Sequence, residues 1–166
     1  MKMARLYAQL SYEEAVHKYA KTVYTACVVR LSGNADVDDC VQNTFVQLYR
    51  SSPDFNDENH LKAWLLRVAI NECRKSRRLS SRFVPLDQLE NCPSPSSDRD
   101  DDEARDLTRA LLSLKPKYRE VLYLHYYEDY KVDEIAVILN TKSGTVKSLL
   151  SRGRRMLKEL YGGDDA

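Results

Sequence analysis

The sequence predicts an all-α fold: two small helical domains joined by a flexible acidic linker, the second containing a helix-turn-helix. Three observations carry this. Apolar residues recur at helical spacing on both sides of a Pro-, Ser- and Asp-rich stretch, and no segment reads as a convincing strand. Gly 5 and Pro 5 in 166 residues are too few for a turn-rich all-β chain. The boundaries read as 1–82, a linker over 83–105, and 106–162.

The first domain opens with a helix. Tyr12, Ala15, Val16, Tyr19, Ala20, Val23, Tyr24, Cys27, Val28 and Leu31 follow the i, i+3, i+4, i+7 rule, and Ser11 with Glu14 forms a capping-box start. Gly33 and Asn34 end it. A second helix covers about 36–50, with Val41, Phe45 and Leu48 inward. Residues 51–60 (SSPDFNDENH) hold turn formers without periodicity and read as a loop. A third helix covers about 60–79, with Leu61, Trp64, Leu65, Val68 and Ala69 on one stripe and Trp64 read as core.

The linker is read from composition. Residues 91–105 (NCPSPSSDRDDDEAR) cannot build a packed core, and a flexible stretch of that size spans roughly 20–25 Å. Beyond it, Leu107, Ala110, Leu111 and Leu114 form a stripe. Pro116 suits the first turn of a helix over about 116–127. A short helix at 132–139, a turn at 140–142 and a last helix at 143–160 follow. Asn140 suits the left-handed turn between the last two helices. Val146, Leu149, Leu150, Gly153 and Leu157 give the last helix an inward stripe. Short helix, tight turn and basic helix together predict a DNA-reading helix-turn-helix.

Charge sharpens this reading. Lys+Arg 26 and Asp+Glu 25 nearly cancel, but the signs are segregated. Residues 71–82 hold five basic and one acidic side chain, residues 83–105 two basic and seven acidic, and residues 142–158 six basic and none acidic. Two cationic surfaces flanking an anionic connector suit a phosphate-rich partner; solvated helix faces are the plainer alternative. No run approaches ~18 apolar residues, so no membrane insertion is expected, and the N-terminus has no secretory pattern. Cys27, Cys40, Cys73 and Cys92 contain no CxxC pair and read as buried or bystander thiols in a reducing, cytoplasmic setting. His17, His60 and His125 form no HExxH, and no Gly-rich phosphate loop appears. Neither an enzyme nor a cofactor nor a metal site is predicted.

The run VDEIAVILNTKSGTVKSLLSRGRRMLKEL, with LLSLKPKYREVLYLHYYEDYKVDEIA leading into it, closely resembles the C-terminal DNA-binding domain of bacterial extracytoplasmic-function (ECF) sigma factors. DVDDCVQNTFVQLYR looks like that family's polymerase-docking helix, and HLKAWLLRVAINECRKSRR like its promoter-melting helix. The resemblance covers about 10–160, with both domains in family order. It implies a transcription initiation factor that binds core RNA polymerase and directs it to promoter DNA. An anti-sigma factor is a further partner that only the resemblance suggests. A stand-alone helix-turn-helix regulator is the alternative, and it leaves 51–60 and 71–82 without a task.

Residue by residue, the resemblance implies minus-thirty-five recognition by Lys142, Ser143, Thr145, Lys147, Ser148 and Arg152, with Arg155 placed for phosphate. It implies minus-ten recognition and opening by Asn71, Arg74, Lys75, Arg77 and Arg78. In the loop, Phe55 would stack on a base turned out of the helix, and Asn56, Asp57 and Asn59 would bond its edge. Asp38, Asp39, Gln42, Asn43 and Phe45 would face the polymerase, although Asp36, Asp38 and Asp39 also suit a helix N-terminus. Family members often carry an acidic residue near Lys75 and a small cap where Lys142 stands; this chain departs at both.

Overall fold

A chain whose apolar residues fall at helical spacing buries them by packing helix on helix. The computed structural model describes residues 5–7, 10–32, 36–51, 54–79 and 101–161. The chain divides into two units, Met1–Phe83 and Val84–Ala166. Of the linker expected over 83–105, residues 83–100 lie outside the described residues, and Cys92 with them.

The first unit holds α1 (Tyr12–Leu31), α2 (Val37–Ser51) and α3 (Glu58–Leu79), each packed against the other two. The capping box is present: Glu14 N–H donates to Ser11 Oγ at 3.2 Å, and Ser11 N–H donates to Glu14 Oε2 at 2.9 Å. The helix ends at Leu31, the last residue of the expected stripe, with Ser32 in the left-handed conformation at φ 56°; Gly33 and Asn34 lie outside the described residues. Its interior is apolar: Ala15, Val23, Cys27, Leu48, Leu61, Leu65, Leu66 and Cys73 are fully enclosed. Interior burial of one such Leu contributes about 1.5–3 kcal/mol.

Two strands correct the strand-free expectation. β1 (Arg5–Tyr7) pairs antiparallel with β2 (Leu10–Ser11), Arg5 opposite Ser11 and Tyr7 opposite Leu10. A two-residue strand is too short to leave an alternating pattern in the sequence.

The second unit holds α4 (Asp101–Ser113), α5 (Pro116–Leu122), a π-helical turn at Tyr123–Tyr127, α6 (Val132–Leu139) and α7 (Ser143–Tyr161). α4 begins five residues before the expected boundary, inside the acidic run. The helix expected to run from 116 to 127 gives way to the wider π turn at Tyr123. Tyr118, Val121, Leu122, Leu124, Ile135, Leu139, Val146 and Leu150 form its core. Among the described residues, no helix is long and apolar enough to cross a membrane.

Candidate nucleic-acid interface

The geometry of α6 and α7 follows from one backbone position. Asn140 takes φ 52° and ψ 53°, which turns the chain sharply after Leu139. Thr141 N–H then donates to Ala136 O at 2.9 Å and closes the turn. Ser143 Oγ donates to Asp133 Oδ1 at 2.6 Å and ties the start of α7 to the start of α6. α7 also lies close against α5, because a Cβ on Gly153 would stand 3.1 Å from Leu122 Cδ1. Val146 and Leu150 anchor the same side, at 0% and 1% exposure.

The opposite side of α7 is cationic and open. Lys142, Thr145, Lys147, Ser148, Arg152 and Arg155 are exposed, whereas Ser143 is half-buried. No acidic side chain among the described residues pairs with Lys147, Arg152 or Arg155. Arg154 is held within the chain, donating to Tyr126 Oη at 3.2 Å and to Leu150 O at 3.3 Å. Nothing stands within 4 Å of the Cβ position of Gly144, so the first turn of α7 is sterically clear.

In the first unit, Asn71 and Lys75 are exposed on α3 and Arg74 is half-buried. Arg77 and Arg78 belong to α3, but their side chains lie outside the described residues. The one acid of the basic stretch, Glu72, is enclosed at 9% exposure. Its Oε1 accepts from the amide of Gln47 on α2 and from Lys75 Nζ at 3.2 Å. A second polar contact ties α3 to the residue just before α2, from Ser76 Oγ to Asp36 Oδ2 at 2.9 Å.

The loop before α3 corrects one assignment. Phe55 is 7% exposed, so it offers no face to a base. Its ring lies edge-on to His60 and Trp64, with centroids 5.2 and 5.7 Å apart, and supports the loop from beneath. Asn56, Asp57 and Asn59 are exposed, and Asp57 Oδ1 accepts His60 N–H at 2.8 Å as the cap of α3. Trp64 is half-buried rather than enclosed.

On α2, Phe45 is 7% exposed and belongs to the core, as its place on the inward stripe with Val41 and Leu48 predicts; its separate assignment to the polymerase face does not fit that burial. Asp38, Asp39, Gln42 and Asn43 are exposed as expected. The same face continues to Val46 and Tyr49, 41% and 59% exposed, which sequence reasoning missed. The available signal was their i+3 and i+7 spacing from Gln42 and Asn43.

Three thiols meet between α1, α2 and α3. Cys27, Cys40 and Cys73 are buried and unbridged. A hydrogen bond to Cys73 and burial push the Cys40 thiol far above its ordinary range, and a hydrogen bond to Cys27 with burial does the same for Cys73. In the second unit, burial pushes Tyr130 up to about 12, with Glu128 and Glu134 adding to the effect.

The family model for Sigma-70 region 2 matches residues 11–83, and that for Sigma-70, region 4 matches residues 104–157. The chain is 31% identical over 158 residues to the RNA polymerase sigma-E factor of Streptomyces coelicolor, covering 90% of this chain and 85% of that protein. It is 32% identical over 162 residues to the ECF RNA polymerase sigma factor SigE of Mycolicibacterium smegmatis, covering 92% of this chain and 62% of that relative's length. Among solved structures, CnrH in complex with the cytosolic domain of CnrY is similar at TM-score 0.66 and 25% identity, covering 93% of this chain and 89% of that one. The sigma factor RpoE of Bartonella quintana, solved with the anti-sigma factor NepR, shares the fold at TM-score 0.68 and 23% identity, over 92% and 98% of the two chains. With a helix-turn-helix of this geometry, both region models in order and a near full-length relative above 30% identity, the chain belongs to the ECF family of RNA polymerase sigma factors.

Proposed function

We propose that the chain docks on core RNA polymerase through the exposed face of α2 and holds promoter DNA at two places. Asp38, Asp39, Gln42, Asn43, Val46 and Tyr49 form the docking face, where acidic and amide groups meet basic residues of the partner around an apolar centre. Lys142, Thr145, Lys147, Ser148 and Arg152 read the minus-thirty-five element, Arg155 holds phosphate, and Ser143 fixes the helix start. Asn71, Arg74, Lys75, Arg77 and Arg78 hold the minus-ten region while it opens, and Asn56, Asp57 and Asn59 receive a base turned out of the stack.

The proposed domain limits are 1–82 for docking and opening and 106–162 for upstream recognition, joined by the linker expected over 83–105, of which α4 takes in the residues from Asp101 onward. Each site binds weakly alone, and polymerase sets their separation, so the second contact gains effective concentration. RNA synthesis belongs to the polymerase, and the chain acts beside it in the cytoplasm. Because similar factors were solved with CnrY and NepR, an anti-sigma partner covering these faces is part of the proposal.

The observation that carries the reading is the exposed cationic side of α7 over 142–158, which holds no acidic residue and turns away from the buried Val146 and Leu150. Run-off transcription with purified core enzyme and a promoter library tests it. Transcription that depends on the chain and falls with Lys147→Ala or Arg152→Ala supports it. Sequence-specific binding by the free chain, with no effect of core enzyme, would instead support the stand-alone regulator.

A further inference from the structure

We infer that His60 is a positioning residue that fixes the shape of the loop at 54–57 and thereby the choice of base at the minus-ten element. The inference rests on the proposed reading of that loop as a base-receiving site.

Three consecutive loop residues are each tied to this one side chain or its backbone. The ring of His60 stands edge-on to Phe55, at 5.2 Å and 85°. Its Nδ1 accepts the backbone N–H of Asn56 at 3.2 Å. Its own backbone N–H donates to Asp57 Oδ1 at 2.8 Å. Phe55 is enclosed and rests on Trp64, so the imidazole, itself exposed to solvent, stands edge-on against a fixed ring while it bonds the loop backbone.

The consequence is directional. Asn56 is exposed, and its side chain leaves the backbone at the point the imidazole holds. Asp57 spends one carboxylate oxygen on the cap of α3 and keeps Oδ2 for another donor. A base turned out of the stack is recognised by hydrogen bonds to its edge, and such bonds weaken steeply when donor and acceptor misalign. The start of α3 does not depend on the ring. Leu61 N–H bonds Asp57 O at 3.2 Å, and Leu61 and Leu65 are fully buried. Loss of the imidazole therefore frees the loop while leaving the helix in place. Glu58, the other acid on this turn, is engaged by Lys18 and Tyr19 of α1.

The test uses the full chain with core polymerase and four promoters that differ only at the minus-ten base the loop receives. The readout is the ratio of open-complex formation rates, best base over the other three, with affinity for core enzyme and the thermal midpoint as controls. His60→Phe keeps a ring but removes the acceptor. Its ratio should fall roughly threefold to tenfold, the worth of one hydrogen bond in a loop population. His60→Asn places an acceptor near Nδ1 and should keep most of the ratio, while His60→Gln, whose acceptor lies further out, should behave like Phe. Should His60→Phe melt early, the Asn and Gln pair still decides the matter. If His60→Phe and His60→Gln keep the wild-type ratio while Asn56→Ala flattens it, the loop reads the base without His60 and the inference fails alone. If Asn56→Ala also leaves the ratio unchanged, the reading of the loop fails and takes the inference with it.

Discussion

Replacing Glu72 with Gln removes one negative charge from the inner side of α3 while keeping the side chain's shape. The carboxylate is 9% exposed and accepts from Gln47 of α2 and from Lys75. A hydrogen bond to a charged acceptor contributes about 1.5–3 kcal/mol and one to a neutral acceptor about 0.5–1.5, so the bond from Gln47 weakens by about 1 kcal/mol. The Lys75 pair adds little, because that side chain is 68% exposed and water screens it. The expected loss is thus about 1–2 kcal/mol for the first unit. Urea unfolding followed by Trp64 fluorescence measures it, since the chain has Trp 1 and that residue lies on α3. Release of Lys75 also adds about one cation to the exposed side of α3 that is proposed to hold promoter DNA, so the log–log salt slope of promoter binding should steepen by about 0.9. An unchanged midpoint with an unchanged slope would refute the claim that Glu72 holds both partners. A more stable variant would refute it too, by showing that the cost of burying the carboxylate exceeds its bonds.

Other outcomes follow from single positions. Leu150→Ala, at 1% exposure on α7, should destabilise the second unit by about 2–5 kcal/mol, read as an earlier circular-dichroism melt. Asn140→Val forces a β-branched residue to φ 52° and should cost about 1–2 kcal/mol, whereas Asn140→Gly should be tolerated. The first unit should weaken in alkali. Folded Cys40 and Cys73 keep protons that the unfolded chain loses above the ordinary thiol value of 9.0, so stability is full below that pH and falls as pH rises beyond it. Urea midpoints across that range should show the decline, and a Cys40→Ala, Cys73→Ala double variant should flatten it.

Helical periodicity made the helices of both units legible, because a buried stripe imposes i, i+3, i+4 spacing whatever the partner helix is. The turn at Asn140 was legible for a different reason: few residues accept a left-handed backbone, and this one stands between two amphipathic runs. Burial was harder to read than periodicity. Phe55 sits beside polar residues and was assigned to a contact, yet its ring turns inward; Phe45 was read both as inward and as a contact, and its burial fits the first reading. Val46 and Tyr49 carry the opposite lesson, since apolar residues at helical spacing here face solvent. The hydrogen bond from Asn56 to His60 and that from Gln47 to Glu72 left no pattern, because a polar contact between neighbouring segments has no period. The π turn at Tyr123–Tyr127 was likewise invisible, as one inserted residue leaves the helical spacing nearly intact.

Selection from a randomised promoter library, with core enzyme and the full chain, puts the two-site claim under the most direct strain. The recovered promoters should share two separate sequence blocks, with Arg152→Ala relaxing only the upstream block and Asn56→Ala only the downstream one. Recovery of a single block, or of the same promoters with and without the chain, would contradict it.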